Sequence, residues 1–241
     1  MTTTPHPTAK FGVIIPAYNE PRLTLLLQRF NFQITPLVVV VNDGSTDDSC
    51  QAARSSPVTL LTHDHTRGIG AAIRTGLVHL RQENCDIAVV MAGNNKDNPA
   101  EIPQLLAALE QGADYVQGSR FADPTKSEGT PLLRRLLTRM VAFLWSLRFF
   151  RNLTDVTNGF RAYRLSLLDD PRIDITQPWL DRYELEYYLH YKVLSCGYKY
   201  AEVPVTKIYP QDGLPTSKIR LTRDLWSLLR PFILLTLRLR K

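Results

Sequence analysis

Cysteine is scarce in this chain, and the little there is argues against a disulfide framework or a metal knuckle. Cys50, Cys85 and Cys196 are the only three among 241 residues. They lie far apart, form no Cys-x-x-Cys pair and cannot all pair with one another, so reduced structural thiols and a cytosolic setting are expected. Long apolar runs are missing too, which excludes an obvious membrane span. The first residues, MTTTPHPTAK, lack the basic start and apolar core of a secretory signal and read as a flexible lead-in over residues 1–10. Internal repeats, zinc-finger spacing and RNA-binding signatures are absent, and the basic residues do not gather on an aromatic platform. Nucleic acid is therefore not an expected partner. The chain is short of acid as well: 23 Asp and Glu against 29 Lys and Arg leave a formal charge of +6. Anionic partners follow from that balance, whether nucleotide diphosphates, lipid phosphates or a membrane surface.

What is present is a regular alternation. Four consecutive valines, Val38 to Val41, are too few to span a membrane and too β-branched to favour a helix. They predict a strand buried on both faces, running into a turn at Asn42-Asp43-Gly44-Ser45. Apolar runs at 11–15, 57–61, 86–91 and 113–117 predict four more strands. Leu23, Leu26, Leu27 and Phe30, the Ala-rich stretch after Gly70, and Ile102, Leu105, Leu106 and Leu109 keep helical spacing between them. Another helix is expected to begin near Thr46, with Asp47 and Asp48 in its first turn. Such alternation points to a doubly wound α/β layer, a mostly parallel sheet with helices on both faces and polar loops gathered on one edge.

Beyond residue 121 the composition changes. Residues 123–130 are rich in Pro, Lys, Ser and Gly and read as a loop over that edge. Residues 131–150 predict a helix with four arginines and no acid. It fails as a membrane span but fits either packing on the sheet, arginines outward, or lying at a membrane interface. A glycine turn at 155–163, a helix at 180–196, a strand at 198–206 and a basic loop at 213–218 follow. The last helix, 221–239, should kink at Pro231 and suits a tilted amphipathic anchor on anionic lipid.

Two loops carry residue types suited to an anionic ligand. Asp43, just past a strand end, is placed to accept hydrogen bonds from a base or ribose, although Asp-Gly-Ser is also ordinary turn chemistry. Gly68 and Gly70 open the Ala-rich helix, where backbone N–H groups can approach a phosphate. A tight turn with close helix-to-sheet packing accounts for the same glycines.

Taken in order, VIIPAYNE (13–20), VVNDGSTDDS (40–49), GIGAAIRTG (68–76), GSRF (118–121), NGFRAY (158–163) and GYKYAEVPV (197–205) resemble the family 2 glycosyltransferases of GT-A fold. The likeness is to the branch that holds dolichyl-phosphate mannosyltransferase and bacterial polyprenyl-phosphate sugar transferases. It implies a GT-A domain over 11–218, with a nucleotide-binding half at 11–121 and an acceptor-binding half at 122–218, followed by the basic amphipathic helix at 219–241. It also implies inverting transfer from a nucleotide-sugar donor to a polyprenyl phosphate or other cell-surface glycan acceptor, in the cytoplasm or peripheral to the inner face of the membrane. By the same resemblance Pro16, Tyr18, Glu20, Asp43, Gly68, Gly70 and Asn94 hold the donor. Asp155 is then the expected carboxylate near the acceptor, with Glu184 or Glu186 behind it, and Arg120, Arg161 and Lys218 meet the phosphates.

The chain departs from the family at the metal. Members usually carry Asp-x-Asp after the fourth strand to hold Mg²⁺ or Mn²⁺ against the diphosphate, and here that position reads Ala92-Gly93-Asn94. Asn94 and Asp97 offer a shifted, weaker metal site. Lys96 offers its own charge in place of the ion. A second function class also stays open, a protein of the same fold that binds nucleotide and has lost catalysis with its Asp-x-Asp.

Overall fold

The computed structural model describes residues 9–35, 37–123, 132–209 and 221–240. The lead-in at 1–8, most of the loop at 123–130 and all of the loop at 213–218 with Lys218 lie outside them. The elements run β1 (Phe11–Ala17), α1 (Leu23–Leu27), β2 (Val38–Asn42), α2 (Gln51–Arg54), β3 (Thr59–Thr62), α3 (Ile69–Gln82), β4 (Ile87–Val90) and α4 (Ile102–Glu110). Then come β5 (Tyr115–Ser119), α5 (Leu132–Phe149), β6 (Arg161–Arg164), α6 (Glu184–Ser195), β7 (Tyr200–Pro204) and α7 (Leu221–Thr236). One sheet takes all seven strands in the order β3-β2-β1-β4-β6-β5-β7.

The valine run behaves as its chemistry requires. Val38 and Val40 face a core shared with Leu23, Leu26, Leu105 and Leu109 of α1 and α4. Val39 and Val41 point the other way, into a core with α3, α6 and Trp145 of α5. Alternate side chains of a strand leave opposite faces, so an unbroken apolar run demands cover on both. The helix expected near Thr46 is instead a short 3₁₀ turn, Asp48–Cys50, leading into α2. Asp47 caps that turn by accepting the Ser49 N–H at 3.1 Å.

The strand β6 is the departure from the alternating pattern. Its four residues, RAYR, lie in what reads as a glycine turn, yet they pair antiparallel to β4 and β5 and separate the two. An antiparallel strand enters the sheet where its parallel neighbours leave it. Arg161 therefore sits opposite Val90 at the end of β4, and the segment before it joins the same polar edge.

Helix α5 is two-faced. Val141, Ala142 and Trp145 are buried, while Leu132, Leu133, Leu136, Met140, Phe143 and Leu147 are exposed. Helix α7 continues past Pro231 to Thr236 and packs on the same core, with the Phe232 ring 5.6 Å from that of Trp145.

Behind Trp145 lies His190 of α6. It is fully buried, its ring 5.2, 5.0 and 5.0 Å from those of Tyr115, Trp145 and Tyr200, and neither ring nitrogen has a hydrogen-bond partner among the described residues. Burial, with the nearby Arg161 charge and against that of Asp155, holds its pKa well below 6.5. An unfolded histidine takes a proton near pH 6.5 that the folded ring refuses. Stability should thus fall as pH drops below about 6.5, by up to about 1.4 kcal/mol per pH unit from this group. Urea unfolding of the parent and of His190→Phe between pH 7.5 and 5 checks this: the variant should lose that part of the slope.

Candidate active site

The carboxyl ends of β1, β2, β4, β5 and β7 and the entry to β6 surround a cleft of about 880 Å³. Its walls include Pro16, Tyr18, Glu20, Asp43, Gly68, Asn94, Arg120 and Glu186. Residues more than a hundred positions apart thus meet at one rim, as a parallel sheet arranges. Gly70, Asp97, Asp155, Arg161 and Glu184 are not among the lining residues.

The loops after β1 and β2 are tied to one another. The Asn19 N–H donates to Ser45 Oγ at 3.0 Å, and the Thr46 N–H donates to Asn19 Oδ1 at 2.9 Å. This fixes the wall from which Tyr18, 38% exposed, faces the cleft.

Asp43 is more committed than its position after a strand suggests. Its Oδ1 accepts from His63 Nδ1 at 2.7 Å and from the Arg67 N–H at 2.9 Å, and its Oδ2 accepts from the Gly68 N–H at 2.8 Å. Its carboxylate staples the start of α3 to the end of β2, with one lone pair on Oδ2 left over for a ligand. The glycine pair is corrected by the same geometry. The Gly68 N–H, one of the amides at the glycine pair, already holds the chain's own carboxylate, as does the N–H of Arg67 just before it. Close packing is what the glycines supply. A Cβ on Gly68, whose φ is +115°, would lie 2.3 Å from the Asp181 carbonyl oxygen, and one on Gly70 would lie 2.0 Å from that of Leu180.

Three expected site residues stand behind the wall rather than in it. Asp155 is fully buried and accepts from Arg120 Nε at 2.6 Å, Arg120 Nη2 at 2.9 Å and the Thr157 N–H at 3.0 Å. Burial would raise its carboxyl, but the guanidinium charge and these hydrogen bonds hold it below the usual range. Shielded so, it cannot meet an acceptor; it positions Arg120, which is 5% exposed and does line the cleft. Arg161 is likewise enclosed, donating to Tyr115 Oη at 2.8 Å and to the Glu186 and Asn158 carbonyls at 3.0 and 2.5 Å. Glu184 is buried 3.6 Å from Arg230 of α7.

Glu186 is the one of the three expected carboxylates that faces the cleft. Its Oε1 lies 3.3 Å from Arg161 Nη2. Burial lifts its pKa, against the pull of Arg161 and Lys207 and with the push of Asp97. A carboxyl raised in this way at the wall of a cleft is a candidate for exchanging a proton with a ligand.

Sequence reasoning passed over Lys207. It stands just past the strand motif that ends at Val205, and donates from Nζ to Asp97 Oδ1 at 2.7 Å and to Asn158 Oδ1 at 2.8 Å. Arg67, Arg182 and Tyr209 also line the cleft, and each sits in a loop without a distinguishing pattern. Cationic residues on the walls outnumber carboxylates: Arg22, Arg67, Lys96, Arg120, Arg182 and Lys207 against Glu20, Asp43 and Glu186.

The donor set implied for Mg²⁺ or Mn²⁺ does not fit a divalent ion. Asp97 is fully buried and engaged by Lys207, and Asn94 brings only a neutral amide whose oxygen accepts the Lys96 N–H at 3.3 Å. Among the described residues no three His, Cys, Asp or Glu side chains cluster for a metal.

Comparison with known proteins decides the family. The model of "Glycosyl transferase family 2" matches residues 12–171. The chain belongs to this family. This family 2 glycosyltransferase is 30% identical over 213 residues to a polyprenol monophosphomannose synthase of Mycolicibacterium smegmatis, covering 84% of this chain and 79% of that protein. It is also 30% identical over 207 residues to an undecaprenyl-phosphate mannosyltransferase of Micrococcus luteus, covering 83% and 84%. Among solved structures it resembles glucosyl-3-phosphoglycerate synthase from Mycobacterium tuberculosis with Mn²⁺, UDP-glucose and phosphoglyceric acid. The TM-score is 0.69 at 18% identity, over 96% of this chain and 79% of that one. The same enzyme with Mg²⁺ and UDP gives 0.67 at 19%, over 95% and 78%. That likeness establishes the GT-A fold of the glycosyltransferase.

Removing the carboxylate behind Arg120 should unsettle the whole wall. Asp155→Ala leaves a buried guanidinium without its partner and should cost about 3–5 kcal/mol. Chemical denaturation reads this as a lower midpoint; an unchanged midpoint would show Arg120 held by other groups.

Proposed function

We propose that this glycosyltransferase moves a sugar from a nucleotide-sugar donor to a polyprenyl phosphate, with inversion at the anomeric carbon. The observation that carries the reading is the cleft itself, an aromatic wall at Tyr18, the carboxylate of Asp43 nearby and buried positive charge at Arg120. The base stacks on Tyr18 and hydrogen-bonds to Asp43, while Arg120 meets the diphosphate. An acceptor phosphate oxygen attacks the anomeric carbon from the face opposite the leaving group. The bond to the diphosphate breaks, and its charge develops beside the guanidinium. A phosphate monoester whose second pKa is about 6 is mostly dianionic at neutral pH, so little base strength is needed. Glu186 takes the remaining proton when the acceptor arrives monoprotonated. The names of the relatives, two of them polyprenyl-type phosphate mannosyltransferases, support the acceptor class. Loss of the Asp-x-Asp by itself does not favour an inert nucleotide binder, because buried cationic side chains still line the cleft.

The test is turnover. UDP-, GDP-, CDP- and dTDP-sugars incubated with polyprenyl phosphate should release nucleoside diphosphate from one donor class, and silence across the panel would reject the reading. Glu186→Gln should leave kcat close to the parent's at pH 8, where the acceptor is a dianion, and lower it progressively as pH falls below about 6; a pH profile identical to the parent's removes Glu186 from the chemistry.

The acceptor's lipid calls for a surface, and α5 offers one. Leu132, Leu136, Met140, Phe143 and Leu147 recur on its outer face, with Arg135 and Arg139 exposed among them. Trp226, Leu237 and Leu239 near the C-terminus are exposed beside Arg238 and Arg240. No helix among the described residues is long and apolar enough to cross a membrane. We read these faces as a peripheral contact with anionic lipid on the cytoplasmic side. Co-sedimentation with phosphatidylglycerol vesicles should weaken as salt rises. Leu136→Glu with Phe143→Glu should weaken it further at unchanged melting temperature; equal binding by parent and variant would overturn the contact.

A further inference from the structure

The loop after β4 is where the family keeps the carboxylates that bind its metal, and here it carries lysine chemistry. Lys96 and Lys207 both line the cleft. Their backbones are pinned together, the Ile208 N–H donating to the Lys96 carbonyl at 2.9 Å. Lys207 has three N–H groups, of which one goes to Asp97 Oδ1 at 2.7 Å and one to Asn158 Oδ1 at 2.8 Å. The third is left for a ligand. Asn158 is itself fixed, its Nδ2 donating to the Gly118 carbonyl at 2.9 Å. Asp97 does not line the cleft, and among the described residues its buried Oδ2 has no partner. The hydrogen bond of that carboxylate therefore serves to hold the Lys207 Nζ in place. On the other side, Lys96 Nζ stands 5.3 Å from the centre of the Tyr209 ring, and the Tyr209 hydroxyl is bonded to Arg120.

We propose that Lys96 and Lys207 take the place of the divalent ion against the donor's diphosphate, so that the protein binds its nucleotide sugar without a metal. This rests on the reading of the cleft as the donor site. Charge arithmetic supports the exchange. Two aspartates and a divalent cation sum to zero, whereas Lys96 and Asp97 of the loop after β4 together with Lys207 from beyond β7 sum to one positive charge, so the two segments jointly present no less positive charge to a diphosphate than a loaded metal site does. The ammonium groups repel a divalent ion from the same place, and the only ionised oxygen donor of the loop is already covered. An ammonium is a compact point charge with rotatable donors, able to follow a phosphate oxygen as charge builds on it.

Equilibrium binding separates this proposal from the donor-site reading beneath it. GDP, UDP, CDP and dTDP, each with its monophosphate, are titrated by calorimetry in EDTA and again with Mn²⁺. One diphosphate should bind in EDTA at least about tenfold tighter than its monophosphate, and Mn²⁺ should leave that ratio unchanged. Lys96→Met, and separately the charge-neutral pair Lys207→Met with Asp97→Asn, should bring the ratio towards one while keeping monophosphate affinity. The paired change leaves no buried ion without a partner, and melting curves confirm folding of each variant. Diphosphate binding that appears only with Mn²⁺, or a ratio untouched in both variants, overturns the proposal and leaves the donor site standing. If none of the four nucleotides binds under any condition, the donor site falls and the proposal with it.

Discussion

Positive charge can be buried at the rim of a sheet only if negative charge is buried behind it, and this requirement organises the candidate site. Arg120 faces the cleft because Asp155 grips it from the protein side through two side-chain bonds. Lys207 does so because Asp97 does the same for it. Taking an ion out of water costs several kcal/mol, and a paired, hydrogen-bonded partner recovers much of that. The result is a wall whose cations are oriented before any ligand arrives. Preorganisation of that kind is what a transferase needs where a diphosphate leaves, since charge that has to be gathered during the reaction slows it.

The same logic explains why the carboxylates were harder to place from sequence than the fold. The valine run and the alternating helices were legible because burial on two faces imposes a pattern that a single strand displays. Residue type showed that Asp155 and Arg161 of the glycine turn, and Glu184 and Glu186 of the helix at 180–196, were ionisable. It did not show which side of the wall each would take. That depends on partners distant in the chain, such as Tyr115 for Arg161 and Arg230 for Glu184. Lys207 carried no signal of its own: one lysine after a strand is common, and its meaning comes from Asp97, a hundred and ten positions earlier. The β6 strand escaped for a related reason. Four residues ending in arginine at both termini carry no apolar alternation that distinguishes them from a turn.

The glycines show the competition between two good explanations. Gly68 and Gly70 stand at a helix start, where a phosphate is well received, and equally where the 180–182 backbone comes within a Cβ's reach. The 180–182 backbone lies within that reach, and Asp43 takes the Gly68 amide. Those contacts bind the start of α3 to the segment just before α6, so the two halves of the chain share one wall.

The position of β6 has an effect on how the chain is made. β5 pairs with β6 and with β7, and with no strand that precedes it. As the nascent chain leaves the ribosome, β1 to β4 can assemble from their own neighbours, but Tyr115–Ser119 waits with both edges open until Arg161–Arg164 has followed it. Unpaired edges of this kind invite association with other chains. A protein released early, at any point between the two strands, would keep a folded-looking first half whose next strand has nowhere to go.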